Sequence, residues 1–597
     1  MAFEVLSGSS VSPETLLEHP EVRPDEREPS FPVRVERRVA RSQRLNSALV
    51  FPGLLGIILL GLWITGAFRT EFADYPDEAA HYVTGLLIHD YIAGFHYLSP
   101  LQFAENFYIH YPKVALGHWP PVFYLIQAGW TLLFSTSHTS LMFLMAALAA
   151  LLAFVIYRIL LPEVGQGISL CAAILFAALP LVQLQAGRLM DDILVTLFMV
   201  MAATWFGRFL DTGSARAAIG FGIWSSVAVL TKESAFALVL VPILGIACTR
   251  KWKMLHRPAL WCSAGIVLVT CGPWSLWTLR MSQNGLVQRS LSLSYFLRAL
   301  YYFWNNLPHS AGWLFSLLAL LGLAVKGIAL FRGENVRGIW PSLLGLFCGC
   351  FLVFCLIPAG FEPRYLLPAL AAMFPFVALG VVHLLSRLPL RRWRAAVAAV
   401  LLLIGFATAG FSFPPSPVRG YAALANLMLS NLQLRGRVIL ICSDPQGEGS
   451  FISEMAMREK RPGHFILRAS KVLASSDWTG HNARPLFHSA SEVLSYIDSI
   501  PLSTVIIDRS ASAPDLPVYE NFLLGALQAP SHHWRLLTTS PVWKKGIEDP
   551  RALEVYVRTT QIADSQNVIR VSLNRELGKT LTFRLPQTRH PDSRGPK

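Results

Sequence analysis

The chain has 597 residues, of which 53% are hydrophobic and 15% charged, and its mean hydropathy is +0.45. Soluble globular domains carry about 25% charged residues, so these values exclude an ordinary soluble enzyme and call for repeated apolar runs of about 20 residues that each cross a bilayer. The net charge of +14 argues little for nucleic acid, because the basic residues sit in short loops between apolar runs, the positive-inside pattern of membrane proteins.

In chain order, residues 1–46 are polar and proline-containing (Pro20, Pro24, Pro29, Pro32). They read as a disordered cytoplasmic tail. Its basic end, Arg34 to Arg44, marks the first apolar run as an uncleaved anchor with its N-terminus inside. That run spans about Ser47 to Phe68, and others centre near 140–158, 168–187, 192–210, 216–231, 234–249, 259–279, 309–327, 339–357, 365–385 and 395–413. The loops at 250–253, 326–337 and 387–394 are basic and so cytoplasmic. Alternation then puts Asp77, Asp192, Lys232, the 280–306 loop and Arg364 together on the other face. One apolar segment, Trp119 to Phe134, breaks the alternation. Either it does not cross, or a further crossing lies within Val83–Tyr97, and the expectation is 11–13 spans.

Beyond Phe413 the run Pro414-Pro415-Ser416-Pro417 ends the membrane region, 47–413. Strand-like runs at 438–442, 504–508 and 553–557, with a helical pattern between the first two, predict a soluble α/β domain over 414–585 on the periplasmic side. A flexible tail is expected at 586–597. The Gly447-Glu448-Gly449 turn lacks the third glycine of a dinucleotide loop and is not read as one. The fold class is therefore an all-α polytopic membrane protein with a C-terminal α/β domain. Seven of the eight cysteines fall within spans and read as small buried hydrophobes.

Four polar elements stand out on the predicted outer face. The long first loop, about 69–118, holds the adjacent acids Asp77 and Glu78, followed by Tyr82 and a stretch (81–95) read as an amphipathic interfacial helix. A second acid pair, Asp191-Asp192, opens an apolar helix, where an aspartate also serves as a cap. Arg188, one turn earlier, is its expected partner. Lys232-Glu233 lies between two runs, and Arg364-Tyr365 starts another. Ionisable groups at a bilayer boundary are functional candidates. Two acid pairs with two cations suit a general base beside an anion site, with Lys as a point charge and Arg as a fork.

The ordered series P-D-E (76–78), H-W-P-P-V-F-Y-L (118–125), M-D-D-I-L-V-T-L-F (190–198), L-T-K-E (230–233) and R-Y-L-L-P-A-L (364–370) resembles the GT-C glycosyltransferases of the protein O-mannosyltransferase and lipid A aminoarabinose transferase type. The resemblance covers about residues 50–385. It implies an inverting transfer of a hexose or pentose from a polyprenyl-phosphate donor to an acceptor hydroxyl at the periplasmic face of the inner membrane. The catalytic carboxylates would be Asp77, Glu78 and Asp192. Lys232, Arg364 and His118 would hold the donor phosphate, with Asp191, Arg188, Tyr82 and Tyr365 as acceptor or supporting residues. In one place the sequence departs from the aminoarabinose type, which carries a lysine before the proline where this chain has His118-Trp119. Arg289 and Arg298 are further candidates to compensate. No metal ligand set or cofactor is required, although a divalent cation beside the acids stays open. The partners implied are the lipid-linked sugar, membrane lipid, and a glycan, lipid or protein acceptor. The alternatives are a lipid-linked polysaccharide ligase or polymerase, which would lean on outer-loop Arg and His, and a lipid or solute transporter, which would show inverted repeats or broken helices.

Overall fold

The computed structural model describes residues 49–584 apart from 95–98, 116, 286–291, 358–359, 388–392, 408–417, 432–433, 435–437, 476–482, 510–516, 531–532, 545–549, 561–567 and 574–578. The two tails, the prolines at 414–417 and Arg289 lie outside the described residues.

Among the described residues, six helices are long and apolar enough to cross a membrane: His138–Ala178, Asp192–Thr212, Pro258–Leu279, Trp313–Phe331, Ile339–Leu356 and Pro363–Ser386. The first has 41 residues, roughly twice what a hydrocarbon core about 30 Å thick requires. It is broken at Gly165, whose φ of 77° and ψ of 172° are not helical, so it makes two crossings. Four shorter apolar helices, Leu49–Ile64, Ala215–Val229, Glu233–Thr249 and Arg394–Ala407, complete the set. The described residues thus give eleven crossings, within the expected range.

Contacts between loops sort the helix ends into two groups. On one side Glu163 accepts from Lys326 Nζ (3.0 Å), Arg337 Nη1 (3.3 Å) and Trp340 Nε1 (3.2 Å). There Asp211 also accepts from the backbone of Gly338, and Lys251 donates to the Leu210 carbonyl. On the other side Arg188 pairs with Asp74, the Phe72 ring lies 4.6 Å from that of His138, and Tyr82 donates to Thr136 O. The 12-residue helix Val122–Leu133 has both ends on this second side. Val122 N–H donates to Leu230 O, and the Thr136 carbonyl just beyond its far end takes the Tyr82 hydroxyl. It does not cross, which explains why the segment breaks the alternation.

Close packing uses small residues, as expected where lipid supplies no hydrophobic drive between helices. A Cβ on Gly322 would strike the Phe376 carbonyl, and one on Gly380 the Leu318 carbonyl, so Trp313–Phe331 and Leu367–Ser386 approach backbone to backbone. Large apolar side chains such as Leu268, Val269, Leu276 and Leu317 point outward, as lipid-facing residues do.

The expected interfacial helix differs. Glu78–Ala93 buries every residue from Glu78 to Leu87, so this part is not an amphipathic surface helix. It lies between Val122–Leu133 and a helix of the C-terminal domain, Pro445–Arg458. Gly85 meets Gln127 on one flank, and Ala79 meets Gly449 on the other.

In the C-terminal domain, β1 (Val438–Cys442), β2 (Phe465–Arg468), β3 (Thr504–Asp508), β4 (Trp534–Val542) and β5 (Arg551–Arg558) form a sheet in the order β2-β1-β3-β5-β4. β2, β1 and β3 are parallel, and β5 and β4 add as an antiparallel pair. All residues of β1 and β3 are buried, as central strands of a covered parallel sheet must be. The Gly447-Glu448-Gly449 stretch lies in the first turns of Pro445–Arg458. Its Glu448 pairs with the fully buried Arg468 of β2 at 2.8 Å.

The domain is tied to the first loop. The Glu71 carboxylate accepts from the backbone N–H groups of Gly420, Tyr421 and Ala422 at 2.9–3.0 Å. It thereby caps the helix Tyr421–Ser430, which has no side-chain cap of its own. Tyr111 donates to Glu459 at 2.7 Å, and Lys113 Nζ donates to the Pro445 carbonyl at 3.2 Å.

Candidate active site

The membrane spans that begin at Asp192 and at Pro363 bring their polar ends to the loop that carries Asp77. Asp191 occupies the N-cap position of its helix, but no side-chain cap bond forms there. Instead Lys232 Nζ sits 2.7 Å from Oδ1 of both Asp191 and Asp192. The capping role is thus replaced by a buried triad, and Lys232 pairs with these acids while Glu233 faces outward. Arg364 bridges the remaining acids, with Nη2 3.3 Å from Asp77 Oδ2 and Nη1 3.7 Å from Asp192 Oδ2. Its guanidinium also lies over the Tyr75 ring (4.2 Å to the centroid) and donates to the Tyr75 hydroxyl at 3.0 Å. Tyr75 in turn donates to Glu362 at 3.3 Å. Asp77, Asp191, Asp192, Lys232 and Arg364 therefore form one connected array, and Arg364 joins its two halves.

The other expected residues divide. Glu78 does not join the array. Its Oε2 accepts from Tyr75 N–H at 3.0 Å and its Oε1 from Leu189 N–H at 3.1 Å, so it clamps the two loops that bear the acids. Burial pushes its carboxyl up to about 7, aided by nearby Asp74 and opposed by Arg188. Arg188 turns away from Asp192 and pairs with Asp74 at 2.5 Å, because it sits in the loop before the helix rather than on its face. Tyr365 lies beside Lys232 (5.9 Å from Nζ to the ring centroid) and stacks on Phe354. Tyr82 is directed elsewhere, stacking on Phe72 at 4.5 Å with its hydroxyl on Thr136 O. His118 packs by Trp119 (6.2 Å between ring centroids), and Trp119 lies 4.5 Å from the His81 ring. Arg298 is exposed and bonds its own helix at Ser294 O. Among the described residues no group of three His, Cys, Asp or Glu side chains is placed to hold a metal.

Three residues escape a reading of the sequence. Tyr75 links Arg364 to Glu362. Lys113 is buried, and burial draws its amine down to about 7, with Asp77 and Glu448 opposing. His81 lies one turn after Asp77 and is 1% exposed, and burial keeps its ring neutral with a pKa of about 3. Only its i+4 spacing from Asp77 signals it in one dimension.

A membrane helical core with a long first loop, acids at two helix starts and an appended α/β domain describe a multi-pass membrane protein whose fold is shared with solved GT-C enzymes. Within that class, residues 118–277 match the family described as dolichyl-phosphate-mannose-protein mannosyltransferase. The fold is similar to that of ArnT from Cupriavidus metallidurans bound to undecaprenyl phosphate (TM-score 0.52, 14% identity, 84% of this chain and 97% of that one). The apo state of the same protein gives a TM-score of 0.53 at 14% identity, covering 84% and 98%. The apo Archaeoglobus fulgidus oligosaccharyltransferase overlaps more loosely (TM-score 0.48, 14% identity, 76% and 69%). No curated protein matches the chain.

Proposed function

We propose that this chain transfers a sugar, with inversion, from a polyprenyl-phosphate donor to an acceptor hydroxyl at the periplasmic face of a bacterial inner membrane. The observation that carries this reading is the Arg364 bridge between Asp77 and Asp192, beside the Lys232 triad. It sets a carboxylate next to fixed cations at a membrane boundary.

An acceptor hydroxyl is a poor nucleophile, and Asp77 is placed to take its proton as the oxygen attacks the anomeric carbon. The bond from that carbon to the phosphate oxygen breaks, and its electron pair leaves with the lipid phosphate. Arg364 and Lys232 stabilise that charge as it develops, so no separate general acid is needed. Asp192 holds both cations in place, and Glu78 fixes the loop that carries Asp77. The ArnT structure with undecaprenyl phosphate supports a lipid monophosphate as the donor class. The reaction as written needs no cofactor.

The test is transfer by purified protein in lipid, from radiolabelled polyprenyl-phosphate sugars to a crude membrane acceptor, with and without EDTA. Label should move with wild type, persist in EDTA, and stop with Asp77→Asn. Turnover retained by Asp77→Asn would remove it as the base.

A further inference from the structure

Five buried polar atoms, four in the array and one on the neighbouring His81, lack a hydrogen-bond partner: Oδ2 of Asp191, Oδ2 of Asp192, Nε and Nη1 of Arg364, and Nε2 of His81. Buried polar groups are nearly always paired, because an unmet donor or acceptor keeps its full desolvation cost. Several such atoms on groups that act on one another are ones a polar ligand would satisfy. His81 differs from the others because it belongs to none of the ion pairs.

His81 follows Asp77 by one helical turn, its N–H donating to Asp77 O at 2.9 Å, so the two side chains share a face. Trp119 covers its ring, Phe123 meets it edge-on (86° between planes), and Tyr124 OH lies 2.9 Å from Nδ1. The charged groups acting on the ring are Asp77, Lys232, Arg364 and Asp192. Hydrogen-bond accounting selects the tautomer. If Tyr124 donates to Nδ1, the single unmet group is Nε2–H. If Nδ1–H donates to Tyr124, both the phenol proton and the Nε2 lone pair go unmet. The first arrangement leaves fewer orphans, and it presents an N–H donor.

Arg364 Nη1 and Asp192 Oδ2 already face each other as an ion pair at 3.7 Å, which leaves Arg364 Nε and His81 Nε2 as the unmet donors and Asp191 Oδ2 as the unmet acceptor. A glycosyl phosphate matches both sets, with phosphate oxygens that only accept and sugar hydroxyls that donate. Lys232 commits two of its three N–H bonds to Asp191 and Asp192, so an incoming phosphate needs further donors. We propose that His81 is a binding residue for the donor, its Nε2–H, oriented by Tyr124, hydrogen-bonding a phosphate oxygen of the lipid-linked sugar. This rests on the reading of the site as one for a polyprenyl-phosphate donor.

The experiment measures binding of undecaprenyl phosphate, and of undecaprenol as a phosphate-free control, to the full chain in nanodiscs. A glutamine amide reaches the position of imidazole Nε2, and an asparagine amide that of Nδ1. His81→Gln should therefore bind the phosphate within about threefold of wild type, and His81→Asn about tenfold or more weakly. Undecaprenol binding should not change. Tyr124→Phe, which leaves the ring in place but releases its tautomer, should weaken phosphate binding a few fold. The reverse ranking, with asparagine tolerated and glutamine not, would mean the ring serves Tyr124 alone and would overturn the proposal. Wild-type affinity in all three variants would overturn it as well. If wild type does not bind undecaprenyl phosphate, the donor reading itself fails, whereas binding indifferent to His81 removes only this inference.

Discussion

Arg461 of the C-terminal domain closes a two-point pair on Asp90 of the first loop, with Nε 2.7 Å from Oδ2 and Nη2 2.8 Å from Oδ1. Together with the Glu71 cap it ties the α/β domain to the first loop, which carries Asp77. Removing one partner of such a pair leaves a partly buried charge unmet. Arg461→Ala should cost about 1–3 kcal/mol of docking stability, read as a lower apparent Tm and faster limited proteolysis between the two parts. Arg461→Lys should not restore it, because an ammonium lacks the planar fork.

Asp77 and Glu78 are adjacent, yet their substitutions should separate. Asp77→Asn keeps the fold and stops turnover. Glu78→Gln retains an acceptor for one backbone N–H and resembles the protonated acid, so most activity should survive. Glu78→Ala leaves the N–H groups of Tyr75 and Leu189 unmet and should lower stability by about 2–3 kcal/mol. Turnover together with thermal denaturation of the three variants checks this. Equal loss of turnover in Asp77→Asn and Glu78→Gln, each at wild-type Tm, would contradict the division of labour.

Arg364 touches Asp77, Asp192 and Tyr75 at once. Lysine supplies the charge but cannot span the three. Arg364→Lys should therefore lower kcat by about a hundredfold or more, on the scale of losing one preorganised transition-state donor. A variant within tenfold of wild type would show that charge alone suffices.

Lys113 gives a stability dependence on pH. Burial lowers its amine from 10.5 to about 7 in the folded chain. Between those values the unfolded chain holds a proton that the folded chain lacks, so stability rises with pH across the window and is least at and below pH 7. Lys113→Met, of similar length and uncharged, should raise the apparent Tm at pH 6.5, and the gain should shrink by pH 9.5. A gain that is the same at both values would place the amine's titration elsewhere.

The spans were legible because the bilayer imposes length and apolarity on each of them, and the basic loops 250–253 and 326–337 do gather on one side. Lys232, Arg364 and the two aspartates could be picked out because charge beside an apolar run is costly. Their pairing could not. Arg364 and Asp77 are 287 positions apart, and nothing local says that Arg188 prefers Asp74 to Asp192. Tyr75 and His81 give no such signal, because a loop tyrosine and a histidine on an apolar helix look like packing until their partners are seen. In the sheet, β1, β3 and β5 announced themselves as apolar runs, whereas four-residue β2 and polar β4 (WRLLTTSPV) did not. The cap on Tyr421–Ser430 was invisible because its acid, Glu71, comes from 349 or more positions away rather than from the neighbouring turn.

Gly165 carries a further consequence. Eleven is an odd number, and only an odd number lets Glu71, just after the first crossing, meet the backbone of Tyr421, just after the last. That contact acts as a parity check on the whole chain. Were the His138–Ala178 segment to run straight, every later loop would change sides. Lys232 and Arg364 would then exchange faces with Lys326 and Arg337, and Asp77 would be left without its cations. One left-handed glycine thus sets which side of the membrane the array of Asp77, Arg364 and Lys232 faces.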